Sequence, residues 1–228
     1  MGLLDPQARW ITIDGGDSAQ PLPNPVAMVG DASLLEGIGL TYLVGLSHGD
    51  LHADNILARV SEDGTLRVHD ARLIDLATFE AQASLSRNIA TLVLSLVSEV
   101  VRTPLRPGED TKLIDLVLNP ENKTVKPQVA PYVVEAVRDV YSAFRRVLPA
   151  YQDSWRPQYL LSVVAQALIH TSYNDAGADG QWWYLRLAAR AAHRFLADRS
   201  GHQRPGPAGT RRIARPGPTR VRASTGCR

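Results

Sequence analysis

The stretch SLSRNIATLVLSLVSEVV, residues 84–101, puts apolar side chains on every face of a helix. Such a helix cannot lie on a surface, so other elements must surround it. Four later segments have helical periodicity and can do so: 109–118, 128–148, 157–173 and 180–198. The second half of the chain is therefore predicted to be a helical bundle around the 84–101 helix, with Ser84 or Ser86 as its N-cap. Glu99 interrupts the apolar run and Arg87 opens it, so it is too short to cross a bilayer and no membrane span is expected. The chain has 228 residues, 44% hydrophobic and 21% charged, which suits one sizeable globular domain.

Ahead of this helix the pattern changes. ARWITID (8–14) alternates like a short strand, and DGGD (14–17) reads as a turn. QPLPNPVAM (20–28) has three prolines in six positions and is expected to be extended loop. SLLE (33–36) has the spacing of a capping box and predicts a helix to about Leu46, weakened by Gly37 and Gly39. Then comes SHGDLHADNILARV (47–60), a polar loop that runs into a strand at 55–60. SEDG (61–64) makes a tight turn, and TLRVHDARLIDLA (65–77) returns as one or two short strands that bring the chain to Asp75.

The residue types in this loop and hairpin suit phosphoryl transfer. That reaction needs a carboxylate to orient an acceptor hydroxyl, and oxygen ligands for one or two Mg²⁺ ions. Asp50 can be the base, and Asn55 and Asp75 can hold the metal, because a hairpin brings its two ends together. The loop HGDLHADNIL with LIDLA resembles the catalytic and metal loops of the protein-kinase-like phosphotransferases, in the aminoglycoside and choline phosphotransferase branch. The pattern typical of that branch is His-Gly-Asp, four residues, then Asn. The resemblance implies an α+β, protein-kinase-like fold, here a mainly α-helical C-terminal lobe with a β-hairpin carrying both loops. It implies ATP and Mg²⁺ as cofactors and a hydroxyl acceptor as substrate. It makes Asp50 the catalytic base, and Asn55 and Asp75 the ligands for metal and nucleotide. His52 stands where protein kinases have a lysine and would touch the transferred phosphate. His48 would be the structural histidine of the loop. Asn88 stands where the family has an aspartate that braces the loop. Leu76 and Ala77 replace the usual Phe and Gly after the metal-binding aspartate.

Two alternatives stay open on the residues alone. The loop's side chains could simply cap turns, or His48, Asp50, His52 and Asp54 could form a metal-hydrolase site on one face of an extended segment. The family's N-terminal lobe brings a glycine loop and a strand lysine. Only 46 residues precede Ser47, and the three lysines are Lys112, Lys123 and Lys126. The expected organisation is thus an N-terminal stub (1–30), a kinase-like C-terminal lobe (31–198) and an Arg/Gly/Pro-rich tail (199–228) without structure. The missing lobe would be lost by truncation of the gene or come from a partner chain, or the domain would be a degenerate binding module without turnover. The tail holds eight arginines and no acid, which leaves 17 basic against 23 acidic residues in 1–198. It would attract nucleic acid only weakly. One cysteine, Cys227, excludes an internal disulfide framework and fits a cytoplasmic setting. Trp182, Trp183 and Tyr184 are expected as core anchors rather than a base-stacking platform. Asp54, Asp70, Glu80, Arg145 and Arg146 are expected on the solvated surface.

Overall fold

A computed structural model describes residues 5–13, 21–36, 38–147, 151–199 and 210–213. It is an α+β structure, mainly helical with small sheets. In chain order the strands are β1 (Trp10–Ile13), β2 (Leu22–Pro23), β3 (Val44–Ser47), β4 (Ile56–Val60), β5 (Leu66–Leu73), β6 (Glu80–Ser84) and β7 (Thr210–Ile213). The helices are α1 (Pro25–Gly30), α2 (Leu85–Val101), α3 (Glu109–Leu118), α4 (Pro131–Val147), α5 (Gln152–His170) and α6 (Gly177–Arg199).

The core lies among α2 to α6. Ala90, Val93, Leu94 and Val97 of α2 are sealed against Leu113 and Leu116 of α3, Val137 of α4, Leu160 and Val163 of α5, and Leu187 and Ala191 of α6. Burying each such side chain contributes roughly 1.5–3 kcal/mol relative to exposure. Trp155 stacks on Phe144 with centroids 3.9 Å apart, joining α5 to α4. The Tyr159 hydroxyl donates to the Val117 carbonyl at 2.9 Å, so its polar end is satisfied in the interior. Burial pushes that phenol far above its ordinary value. Trp182 and Trp183 are buried, as expected of anchors, and Trp182 packs with Leu185 against Ile11 and Ile13 of β1.

Several local expectations are corrected. The helix over 33–46 is only a single 3₁₀ turn, Ala32–Leu35, capped by the Asp31 carboxylate on Ser33 N at 2.9 Å. The chain then extends. Leu43 N donates to the buried Gln158 Oε1 at 2.7 Å, and Leu43 O accepts from Leu85 N at 3.1 Å. Those tertiary bonds replace the helix's own. The proline-rich 20–28 is not all loop, because Pro25 opens α1 at a first-turn position where its missing N–H costs nothing. Asn24 caps it and also donates to Asp5 O and Ala8 O. Helix α5 starts five residues before the expected Pro157, held by the buried Trp155. Within the tail, Thr210–Ile213 is a strand parallel to β1, in register from Trp10↔Thr210 to Ile13↔Ile213. Beside β1 it fills a sheet edge whose backbone groups need partners. Residues 200–209 and 214–228, with Cys227, lie outside the described residues, as does DGGD at 14–17. Among the described residues no helix is long and apolar enough to cross a membrane.

The start of α3 is set by Glu109, only 5% exposed, whose carboxylate accepts from Lys112 Nζ at 2.7 Å and from Gln128 N. The Lys112 bond, then the Gln128 N–H, hold its carboxyl below the usual carboxylate range. Glu109→Ala should cost about 1–2 kcal/mol in urea unfolding, because it orphans the Gln128 N–H. A depressed carboxyl stabilises the fold above its unfolded value of 4.5 and loses that contribution as pH falls through the lower folded value. The variant's deficit against wild type should therefore shrink as pH falls below 4.5.

Candidate functional site

Two loops meet at the ends of short antiparallel pairs. Strand β3 pairs with β6, from Val44↔Ser84 to Ser47↔Glu80, and β4 pairs with β5 from Ile56↔Leu73 to Val60↔Leu66. The loop 48–55 thus leaves β3 beside the loop 74–79 that enters β6. Three bonds join them. The His48 ring Nε2 donates to Ile74 O at 2.7 Å, Ile74 N donates to Asn55 O at 3.0 Å, and Thr78 Oγ1 donates to His48 O at 3.0 Å. His48 is 4% exposed and acts as a structural tie. Ile74 is gripped from both sides, which brings Asp75 beside the 48–55 loop. Asp75 itself adopts the left-handed region (φ 55, ψ 63) and is exposed.

The turn at Gly49 explains the residue there. Its φ is +84, and a Cβ would stand 2.0 Å from the Thr78 carbonyl oxygen, so only glycine allows the two loops to approach. Gly49 N donates to Asn88 Oδ1 at 3.2 Å, and the Ser47 hydroxyl donates to the same oxygen at 3.0 Å. Asn88 of α2 therefore braces the loop as a neutral acceptor. On the far side of Asp50, Asn55 Nδ2 donates to the Asp50 carbonyl at 3.0 Å. The backbone of Asp50 is thus held before and after, while its side chain stays 54% exposed. Asn55 is buried, and its Oδ1 has no hydrogen-bond partner among the described residues.

Asp50 and His52 line a cavity of about 250 Å³ between the loop and helices α2, α5 and α6. His52 sits 3.8 Å from the Asp50 carboxylate and 3.6 Å from that of Asp54, which is 97% exposed. Helix α2 contributes Thr91, Ser95 and Ser98, and Arg102 follows at its C-cap, spaced by four, three and four residues. So α2 is not apolar all round but carries a polar stripe. That spacing was the available signal within 84–101, and three short hydroxyl side chains among leucines and valines concealed it. Thr91, Ser95 and Ser98 donate to Arg87 O, Leu92 O and Ser95 O respectively, at 2.9, 2.8 and 2.7 Å. Ser95 Oγ also accepts from Ala53 N at 3.0 Å, which ties the loop to α2 once more. Arg102 bridges Glu99 and Asp175.

The opposite wall is Gln166 and His170 of α5, Tyr173, and Tyr184 of α6. Nothing in the sequence of these residues, far apart along the chain, marks them as neighbours of Asp50. His170 Nδ1 lies 2.9 Å from the Gln166 carbonyl, which only accepts, so Nδ1 carries the proton. Burial pushes the imidazole below its ordinary value, and the ring is neutral at pH 7 with Nε2 as an acceptor. Its faces meet Tyr184 and Tyr173 at centroid distances of 4.8 and 5.1 Å.

Asn55 and Asp75 do not line this cavity. The hydrolase set of His48, Asp50, His52 and Asp54 does not converge either. His48 is turned to Ile74, and among the described residues no three His, Cys, Asp or Glu are grouped to hold a metal. Of the expected surface charges, Asp54 and Asp70 are exposed, Glu80 pairs with Arg87 at 2.9 Å, and Arg145 pairs with Glu121.

Gly49→Ala should lower stability by about 2 kcal/mol or more, since it adds a strained φ to a backbone clash. Asn88→Leu should also destabilise and raise amide exchange at Gly49, whereas Asn88→Asp, which keeps the acceptor oxygen, should preserve protection there. Equal exchange in the two Asn88 variants would mean that the brace does not hold the loop. No protein-family model, curated protein or solved structure matches the chain, so the site is interpreted from its own residues.

Proposed function

We propose that the chain is a kinase-like phosphotransferase that moves the γ-phosphate of ATP to a hydroxyl acceptor. One observation carries this reading: Asp50 is fixed through its backbone on both sides, yet presents its carboxylate to a polar cavity large enough for a small acceptor. In this reading Asp50 orients the acceptor hydroxyl and takes its proton as that oxygen bonds to the transferred phosphorus, while the bond to the leaving diphosphate breaks. In this reading His52, about a third exposed beside Asp50, faces the transferred phosphate.

The donor set suits Mg²⁺, a hard cation that takes oxygen ligands and few carboxylates. Among the described residues Asn55 bonds through Nδ2 and not Oδ1, and the Ile74 N–Asn55 O bond brings the exposed Asp75 next to it. These two would hold the metal, which neutralises phosphate charge when bound. The lysine-bearing side of the phosphate clamp has no counterpart before Lys112.

A second reading, a degenerate binding module without turnover, is favoured by the exposed apolar side chains of the small sheets. Leu46, Leu57, Val68 and Leu73 are all at least half exposed. Such a surface suits contact with another protein.

Incubation with Mg-ATP and pooled hydroxyl acceptors, read by ³¹P NMR, separates the readings. Asp50→Asn should lower product formation by about 10²- to 10⁴-fold with folding unchanged. Asp75→Ala should abolish Mg-dependent nucleotide binding in calorimetry. Wild-type chain that gives no product and no heat with Mg-ATP, alone or with a kinase N-terminal lobe added, would leave the binding module as the surviving reading.

A further inference from the structure

We propose that the β4–β5 ribbon, with the 74–79 loop at its base, is the contact surface for a second copy of this chain. The contact goes beyond both functional readings, because a chain with or without turnover would pair in the same way.

Every residue from Glu62 to Gln82 is exposed, a run that covers all of β5 and the start of β6. An antiparallel strand with one face on a core alternates between buried and exposed residues. Strand β5 does not alternate, so both of its faces stand in water. It pairs with β4 and with no other strand among the described residues, which leaves its second edge open. An open edge that carries apolar side chains is a template for another chain.

The area is that of an interface. Leu57, Val60, Leu66, Val68, Leu73 and Leu76 are each exposed by half or more. The large apolar side chains from Leu57 to Phe79 leave on the order of 800 Å² in water, about what each partner buries in a stable complex. Monomers seldom leave so much apolar surface on one stretch of chain.

Charge selects the occupant. Arg59 and Arg67 stand directly opposite each other in the ribbon, a like-charge pair that destabilises it. Arg72 lies further along β5, and Glu62, Asp63 and Asp70 lie among the three arginines. None of the six has an ion-pair partner among the described residues. Three cations against three anions make no net field to hold nucleic acid or an anionic membrane. A two-fold contact sets a patch against itself, so a patch with equal numbers of both signs can pair its own charges across the axis. Carboxylates from the second ribbon then relieve the Arg59–Arg67 repulsion that this chain leaves uncompensated.

Sedimentation velocity on the full chain, over a range of micromolar concentrations, tests this. Wild type should pass from monomer to dimer and no further. Leu66→Asp combined with Val68→Asp should weaken self-association by about a hundredfold or more. Both positions are exposed, so circular dichroism should not change. A charge swap gives an independent test on side chains outside the apolar set. A chain with Arg59→Glu and Arg67→Glu should stay monomeric, as should a chain with Glu62→Lys and Asp70→Lys, while an equal mixture of the two should dimerise. A folded Leu66→Asp/Val68→Asp chain that dimerises like wild type, assembly that grows past the dimer, or a charge-swap mixture that stays monomeric would overturn the proposal. A wild-type chain that stays monomeric throughout would also overturn it and leave the patch to a different protein.

Discussion

The amide oxygen of Asn88 is the point on which the site turns. It accepts from both the Ser47 hydroxyl and Gly49 N, so it couples the end of β3 and the turn before Asp50 to a helix buried in the core. Two bonds to one oxygen, close to the interior, restrict the turn in position and in direction. Everything beyond it follows from that anchor. Gly49 can then pass against the Thr78 carbonyl, His48 can reach Ile74, and Asn55 can close on the Asp50 carbonyl. A loop held only by its own turns would present Asp50 as one of many surface carboxylates. Here the backbone around it is fixed while the side chain remains free to meet a ligand.

The helices supply rigidity of a different kind. Residues of α2 face the interior with Ala90, Val93, Leu94 and Val97, and face the cavity with Thr91, Ser95 and Ser98. The two faces serve separate purposes on one element. The serine and threonine hydroxyls donate back to their own helix, and Ser95 also accepts from Ala53 N of the loop. The cavity therefore tolerates polar side chains next to a dry core with few unsatisfied groups. Arg102 is paired with Glu99 and Asp175 and His170 stays uncharged, so the carboxylates of Asp50 and Asp54 leave the lining net acidic.

What was legible in the sequence is what short-range patterns encode. The segment 109–118 is helical from end to end as expected, and the loop–hairpin–helix order around Asp50 and Asp75 is present, because turn residues and apolar periodicity act locally. The 33–46 segment shows the opposite case. Its capping-box spacing is real, but Gln158, over a hundred residues away, takes the Leu43 N–H and pulls the chain into an extended path. Strand β6 went unseen for the same reason, since its pairing with β3 depends on two loops meeting. The cavity wall at Gln166, His170, Tyr173 and Tyr184 was illegible because it is made by the packing of α5 and α6 and not by any motif. Asn55 and Asp75 were legible as residue types and as neighbours, but not as residues standing outside the cavity.

The β4–β5 hairpin has every residue of β5 exposed, and a two-stranded ribbon alone is marginal in water. Its stability must come from its base. There Ile56↔Leu73 pairing continues directly into the Ile74 bonds with His48 and Asn55. The position of Asp75 is therefore decided by the hydrogen-bonded base of the ribbon and is insulated from its tip. The exposed Leu57, Val60, Val68 and Leu73 add little to that end. The ribbon thus leaves apolar side chains on the surface, whereas the cavity beside Asp50 is lined mainly by polar ones. The hairpin and the cavity meet only through the short loop that Asn88 anchors.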